Sequence, residues 1–285
     1  MTPSTLPDTA SHRLVGNVRM PRILYGTAWK QDTTAHWVEA ALRAGFAGID
    51  TAGQPRHYDE AAVGAGIAAS ARARDTLYLQ TKITPLAGQD PARLPYDPVA
   101  PLAAQIAASF ASSQRNLRSE RIDALLLHSP LREPAARRIA WNAFEALADA
   151  GKVGLLGISN CYAPVQLQQL WHEARVKPSI VQNRFYAQTG YDREIRAFCR
   201  AHGMVYQSFW TLSANPALLN SATVRGLAAA YERTPAQILL RWLLQNDVVP
   251  LTGTTSPAHL RQSLDVLTFE LDAQDCTAIE TLLRA

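Results

Sequence analysis

The sequence predicts a single-domain α/β protein, a (β/α)8 barrel of the TIM type with an N-terminal β-hairpin capping the barrel bottom. Three observations carry that expectation. Eight short apolar runs recur along the 285 residues, each followed by a polar loop and a longer helical pattern. The runs are continuous rather than alternating, as strands buried on both faces must be. No linker divides the series, and the segment after the first run, Gly26-Thr27-Ala28-Trp29, lacks the G-x-G-x-x-G of a doubly wound open sheet, the competing architecture.

The elements follow in order. Met1-Thr2-Pro3-Ser4-Thr5-Leu6-Pro7 has neither a basic region nor an apolar core. Residues 1–12 are therefore expected as a flexible tail rather than a secretory signal, with the barrel spanning 13–285. Val15-Gly16-Asn17-Val18 is a two-residue hairpin signal. The eight runs are Ile23-Leu24-Tyr25, Ala47-Gly48-Ile49, Leu77-Tyr78-Leu79, Ala124-Leu125-Leu126-Leu127, Leu155-Leu156-Gly157-Ile158, Ile180-Val181, Met204-Val205-Tyr206 and Val248-Val249. Between them, helices are marked by Thr33-Thr34-Ala35 with Ala44-Gly45, by Glu133-Pro134 with Ala150-Gly151, and by Ser256-Pro257. The Pro-rich piece from Thr84 to Pro101 reads as a long loop inside one repeat, not as a domain boundary.

Composition narrows the function. Apolar residues make up 47% and charged residues 18%, so the chain is globular. The net charge of +4 comes from scattered Arg, which gives no nucleic-acid footprint and mildly favours an anionic ligand. No apolar run is long enough to span a bilayer. Cys161, Cys199 and Cys276 have no paired spacing, which points to a reducing, cytoplasmic setting, and no His/Cys/Asp/Glu cluster has ligand spacing, so no metal is expected. The expected state is a monomer or weak homo-oligomer acting on a small molecule.

In a barrel, chemistry belongs at the C-terminal ends of the strands. Those ends carry Asp50, Lys82, His128, Ser159 with Asn160, Gln182 and Ser208. Singly, each has a bland explanation: a turn cap, a surface charge, a satisfied core histidine. Together they converge on one rim. Tyr58, in the polar stretch after Asp50, completes a set. A phenol with an ordinary pKa of about 10 needs a nearby ammonium to lower it, and a buried ammonium needs a carboxylate. A neutral His128 can then orient a substrate oxygen.

These residues stand within motifs that resemble the aldo-keto reductase superfamily from about Arg19 onward. They are Gly45-Phe46-Ala47-Gly48-Ile49-Asp50-Thr51-Ala52, Leu79-Gln80-Thr81-Lys82, Asp123-Ala124-Leu125-Leu126-Leu127-His128-Ser129-Pro130 and Gly157-Ile158-Ser159-Asn160. The resemblance implies carbonyl reduction with NADP(H), or NAD(H), as the hydride source. It implies a catalytic tetrad of Asp50, Tyr58, Lys82 and His128, and a carboxamide site at Ser159, Asn160 and Gln182. It extends the cofactor set to Gly26, Thr27, Ser208, Trp210, Gly253, Thr254, His259 and Gln262, and the substrate pocket to Trp29, His57, Ser129 and Phe209.

The sequence departs from the family pattern in four places. The D-T-A-x-x-Y-x-N-E stretch is longer here and reads Gln54-Pro55-Arg56-His57-Tyr58-Asp59-Glu60, which makes His57 a rival to Tyr58; the phenol is the better acid. Gln207 occupies the place of the ring that stacks on the nicotinamide, leaving Phe209 or Trp210 to supply one. Gly253-Thr254-Thr255-Ser256, with His259 and Arg261 nearby, replaces the Lys and Arg that hold the 2′-phosphate of NADP, so NADP rests on the family alone. Ser129 and the end of the chain at Ala285 imply an open pocket, and the Pro85–Pro98 loop is placed to cover it. Cys161 is expected near the cofactor, with no partner that would make it a nucleophile. Two rivals stand beside the reductase: a nucleotide-sensing subunit without turnover, and an aldolase or isomerase using Lys82 as a Schiff base.

Overall fold

Eight parallel strands close on themselves in the computed structural model, which describes residues 11–284. The chain begins with an antiparallel hairpin, β1 (His12–Val15) and β2 (Val18–Pro21), and Gly16 in its turn has a φ of 54°. The barrel strands are β3 (Leu24–Gly26), β4 (Gly48–Asp50), β5 (Tyr78–Ile83), β6 (Ile122–Leu127), β7 (Val153–Ser159), β8 (Ile180–Arg184), β9 (Val205–Phe209) and β10 (Val248–Thr252). Each pairs with its sequence neighbours, and β10 closes the ring on β3. Met1–Ala10 lie outside the described residues, so most of the expected tail does too; His12 already belongs to β1, and the backbone N–H of Arg22 donates to Ser11 O at 2.9 Å.

Two apolar layers hold the barrel. One lies inside its lower half, where Leu24, Tyr78, Ala124, Leu126, Leu155, Ile180, Val205 and Val249 meet Val15, Val18 and Met20 of the hairpin. The hairpin therefore caps the barrel bottom. The other, larger layer lies between strands and helices, with Phe46, Phe110, Trp141, Phe144, Phe185 and Trp242 buried there. Strands buried on both faces follow from this, and β5 is buried at all six positions. Gly48 is required by the same crowding: a Cβ there would collide with the Leu24 side chain.

The helical signals correspond to helices Thr34–Ala44, Pro134–Asp149 and Pro257–Asp265, the last capped by Ser256 Oγ accepting from the His259 N–H. β5 runs longer than its apolar core suggests, so Lys82 sits within the strand rather than after it. Between β9 and β10 the chain forms three helices, Pro216–Leu219, Ala222–Ala230 and Pro235–Gln245, where one repeat would need only one. Among the described residues, no helix is long and apolar enough to cross a membrane, and no cluster of His, Cys, Asp and Glu could hold a metal.

Candidate active site

The C-terminal ends of the strands open into one cleft of about 1150 Å³. That exceeds the roughly 300–1000 Å³ of ordinary small-molecule pockets and suits a dinucleotide together with a small substrate. At its floor Asp50, the last residue of β4, faces Lys82 of β5. The Lys82 Nζ donates to Asp50 Oδ2 at 2.6 Å and to Thr51 O at 2.8 Å, and both side chains are almost wholly buried. Burial works to strip the proton from Lys82, but Asp50, then Tyr58 and Glu60, hold its pKa above the ordinary lysine value.

A hydrogen-bond lattice fixes Asp50 from below. Gln80 Nε2 and Gln182 Nε2 donate to Asp50 Oδ1 at 2.6 and 2.9 Å. The same two amides donate to Gln207 Oε1 at 2.8 and 2.9 Å, and Gln207 returns a bond to Gln80 Oε1 at 3.0 Å. Tyr78 Oη donates to Gln80 Oε1 at 2.7 Å. This explains the glutamine in the place expected for an aromatic ring: Gln207 points into the barrel and is fully buried. It also shows that both donors of the Gln182 amide already serve this lattice.

Tyr58 lies above the pair. The Lys82 Nζ is 5.2 Å from the phenol ring centroid, and the ring meets His128 edge-on at 6.0 Å. Burial raises the phenol pKa, while the Lys82 charge pulls it back and Asp50 pushes it up; the result is above the ordinary 10. This corrects the expectation of a lowered value: burial outweighs the ammonium. His57, the rival, turns aside to stack on Trp29 with centroids 3.8 Å apart, and its Nδ1 is buried without a partner. His128 Nδ1 lies 2.6 Å from Thr84 Oγ1, and burial, then Lys82 and His57, lower the imidazole pKa to about 3. His128 is therefore neutral at physiological pH.

Opposite this corner, Ser159 Oγ donates to Gln182 O at 2.8 Å and Asn160 Nδ2 to His128 O at 2.9 Å. Trp29, Asn160 and Trp210 line the cleft with φ values of 63°, 54° and 55°, left-handed backbone rare outside glycine. Such strain gathers where a surrounding structure forces side chains toward a ligand.

Of the residues expected to bind cofactor or substrate, Gly26, Trp29, His57, Ser159, Asn160, Gln182, Phe209, Trp210, Gly253, Thr254, His259 and Gln262 line the cleft. Thr27, Ser208 and Ser129 do not. Thr27 is fully buried, its hydroxyl donating to Asp50 O, and Ser208 is fully buried and accepts from Thr211 Oγ1. Ser129 is half-buried on the rim beyond His128. The Pro85–Pro98 loop does not cover the cleft either. It buttresses the loop that carries Tyr58, with Gln89 Nε2 donating to Gly53 O and Gln54 Nε2 to Gly88 O, both at 2.8 Å. Cys161 is fully buried outside the cleft, and burial pushes its thiol up to about 12.

The far end of the cleft is built by residues not singled out in the sequence, including Ser213, Asn220, Thr234 and Gln237. Thr211, Ser213 and Asn215, spaced in the loop after β9, are the signal in the sequence that could have found it. Lys30, which with Trp29 follows the first barrel strand and is expected from the sequence to line the pocket, does line the cleft; it is 7% exposed, its Nζ donating to Gly253 O at 2.6 Å. It makes no ion pair among the described residues, and burial lowers its pKa to about 8.

Comparison with known proteins agrees with this geometry. The aldo/keto reductase family model matches residues 22–284. A glyoxal reductase of Bacillus subtilis (strain 168) is 27% identical over 98% of this chain and 94% of its own length. An aldo-keto reductase of Mycolicibacterium vanbaalenii is 31% identical over 92% of this chain and 88% of its own. The crystal structure of an aldo-keto reductase enzyme from a Medee basin deep-sea metagenome library superposes with a TM-score of 0.81, at 26% identity over 94% of this chain and 93% of that one.

Proposed function

The chain belongs to the aldo/keto reductase family and is an oxidoreductase enzyme, and from that premise we propose that it reduces aldehydes or ketones to alcohols with a nicotinamide nucleotide, Tyr58 being the proton donor. One observation supports this above the rest: a buried Lys82–Asp50 pair lies beneath a phenol, with a neutral imidazole at its edge. When bound, the nucleotide supplies hydride to the carbonyl carbon. Tyr58 gives its phenolic proton to the carbonyl oxygen, and Lys82 stabilises the phenolate that remains. His128 Nδ1 pairs with Thr84 Oγ1; with Thr84 as the donor the ring proton sits on Nε2, which would then hydrogen-bond the substrate oxygen. The Lys82–Asp50 ion pair keeps the ammonium charged and disfavours a Schiff-base role.

The cleft fits such a nucleotide. Ser159 and Asn160 would hold the carboxamide. At the other end Gly253 lines the cleft, and a Cβ there would crowd Gly26 O at 3.1 Å and Lys30 Nζ at 3.4 Å. Lys30 would meet the nucleotide's phosphates. Because a lysine with a pKa of about 8 is cationic below that pH and neutral above it, nucleotide affinity falls as pH rises through 8. Titration by fluorescence quenching from pH 6.5 to 9.5 checks this, and Lys30→Met flattens the curve.

Steady-state oxidation of NADPH and NADH with a panel of carbonyls led by glyoxal tests the assignment. Turnover with at least one small carbonyl is expected. Tight nucleotide binding with no turnover on any member would favour the nucleotide-sensing subunit instead. The nucleotide expected is NADP(H), with NAD(H) the alternative. His259, exposed at the cleft and capping-bonded through its N–H to Ser256, occupies the position where the family resemblance expects the arginine that holds a 2′-phosphate. His259→Arg is expected to improve the NADPH:NADH affinity ratio roughly tenfold, the scale of one charge-assisted pair; an unchanged ratio places the clamp elsewhere.

A further inference from the structure

Arg184 ends β8 two residues beyond Gln182 and is in register with Phe209 of β9. Its guanidinium carbon lies 3.9 Å from the Trp210 ring centroid and 5.1 Å from that of Tyr186. Trp210 holds left-handed backbone, with a φ of 55°, and lines the same cleft. The Arg184 backbone N–H is tied to Tyr162 Oη at 3.1 Å. The side chain is thus fixed at its root and pinned between two aromatic faces, and it lines the cleft.

What it lacks is an acceptor. No ion pair or side-chain hydrogen bond of Arg184 occurs among the described residues, and its Nε is buried with no partner. Other arginines of the chain show the contrast: Arg74, Arg137 and Arg241 each hold a carboxylate within 3 Å. A guanidinium carries five donors in a rigid plane that matches carboxylate and phosphate oxygens. Leaving a partly buried donor unpaired is unfavourable, and stacking on an indole satisfies none of the N–H groups. The aromatic clamp removes most of the conformational freedom a long side chain would otherwise lose on binding, which is the signature of a preorganised site.

We propose that Arg184, held by Trp210 and Tyr186, is an oxyanion subsite of the cleft that takes a carboxylate or phosphate group of a bound ligand. The group is either the pyrophosphate of the nucleotide or an acid function carried by the carbonyl substrate, and in the second case the preferred substrates are oxo-acids. The choice of ligand rests on the proposed reductase activity; the subsite itself does not.

The test uses wild-type protein, Arg184→Met and Arg184→Lys, with thermal melting to confirm that Met, which keeps the stacking volume, leaves the fold unchanged. NADH and NADPH are titrated by fluorescence. kcat/KM is measured for butanal and for its acid-bearing counterpart 4-oxobutanoate. Glutarate, which is not reducible, is titrated calorimetrically into the nucleotide-saturated protein. If the subsite holds pyrophosphate, Arg184→Met weakens both nucleotides about tenfold and lowers both carbonyls together. If it holds a substrate acid, nucleotide affinity and butanal are unchanged, while 4-oxobutanoate falls at least tenfold and glutarate binding is lost. Arg184→Lys lies between in whichever arm moves, because a point charge replaces a bidentate fork. If no arm moves by more than twofold, Arg184 only packs against Trp210 and the proposal is overturned. Absence of turnover with every carbonyl would refute the reductase reading, yet the nucleotide and glutarate titrations would still decide the subsite.

Discussion

Tyr58→Phe is expected to lower carbonyl turnover by roughly a thousandfold and to leave nucleotide affinity within about twofold of wild type. The phenol oxygen is the only part removed, and general acid catalysis by a placed group contributes about 10²–10⁴ in rate. The ring stays, so its contacts with Lys82 and His128 persist. Because burial holds the Tyr58 pKa above the ordinary phenol value and lowers that of His128 to about 3, the wild-type kcat for reduction at saturating nucleotide is expected to be flat from pH 5 to 8. Neither group changes charge in that window. Alcohol oxidation needs the phenolate instead, so it rises toward alkaline pH. His57→Ala is the control. His57 packs its ring against Trp29 at the cleft wall, so its removal is expected to reshape the pocket and raise KM more than it lowers kcat. If Tyr58→Phe turns over normally and His57→Ala is dead, the donor is the histidine.

The barrel was legible because its signal is redundant. Runs such as Ala124-Leu125-Leu126-Leu127 are buried on both faces, and that alone forces a continuous apolar pattern. Asp50 and His128 were legible for a related reason: each terminates an apolar run at the rim. Side chains whose direction depends on a neighbouring strand were not. Gln207 looks like a lost aromatic in one dimension, and only the closed ring reveals that it bonds Gln80 and Gln182 across the barrel. Ser208 sits beside cleft residues in sequence but points outward, since successive residues of a strand face opposite ways, and Thr27 lies just past the end of β3 with its hydroxyl taken up by Asp50 O. Asp123 belongs to the motif that ends in His128, yet it lies at the other end of β6. There its Oδ2 accepts from the Leu79 N–H at 2.9 Å and from Arg74 at 2.7 Å, fastening β5 to its neighbours. The long Thr84–Pro101 loop shows the opposite failure: its stiffness was legible, but the hydrogen bonds to Gly53 and from Gln54 that make it a buttress were not.

The second large effect concerns stability and activity together. Asp50→Asn should abolish most activity and destabilise the fold by about 3–5 kcal/mol, the usual result of leaving one member of a buried ion pair alone. That corresponds to a melting point lower by roughly 10 °C for a domain of this size. Asn keeps a carbonyl oxygen to accept from Gln80 and Gln182, so the loss traces to Lys82 and not to the amide lattice. The double variant Asp50→Asn with Lys82→Met removes the orphaned charge and should recover most of the stability while remaining inactive. The pH dependence separates this account from a general loosening of the barrel. In wild type, folding raises the Lys82 pKa, so its contribution is fully present below the ordinary lysine value and is lost as pH rises through the folded one. Without Asp50, burial is the largest remaining influence and depresses that pKa. The unfolded chain then binds the extra proton, and the single variant grows more stable, relative to the double variant, as pH rises from 7 toward 10. A constant gap between the two melting points across that range would mean that Lys82 is not held charged by Asp50, and the proton-transfer chemistry built on that pair would have to be abandoned.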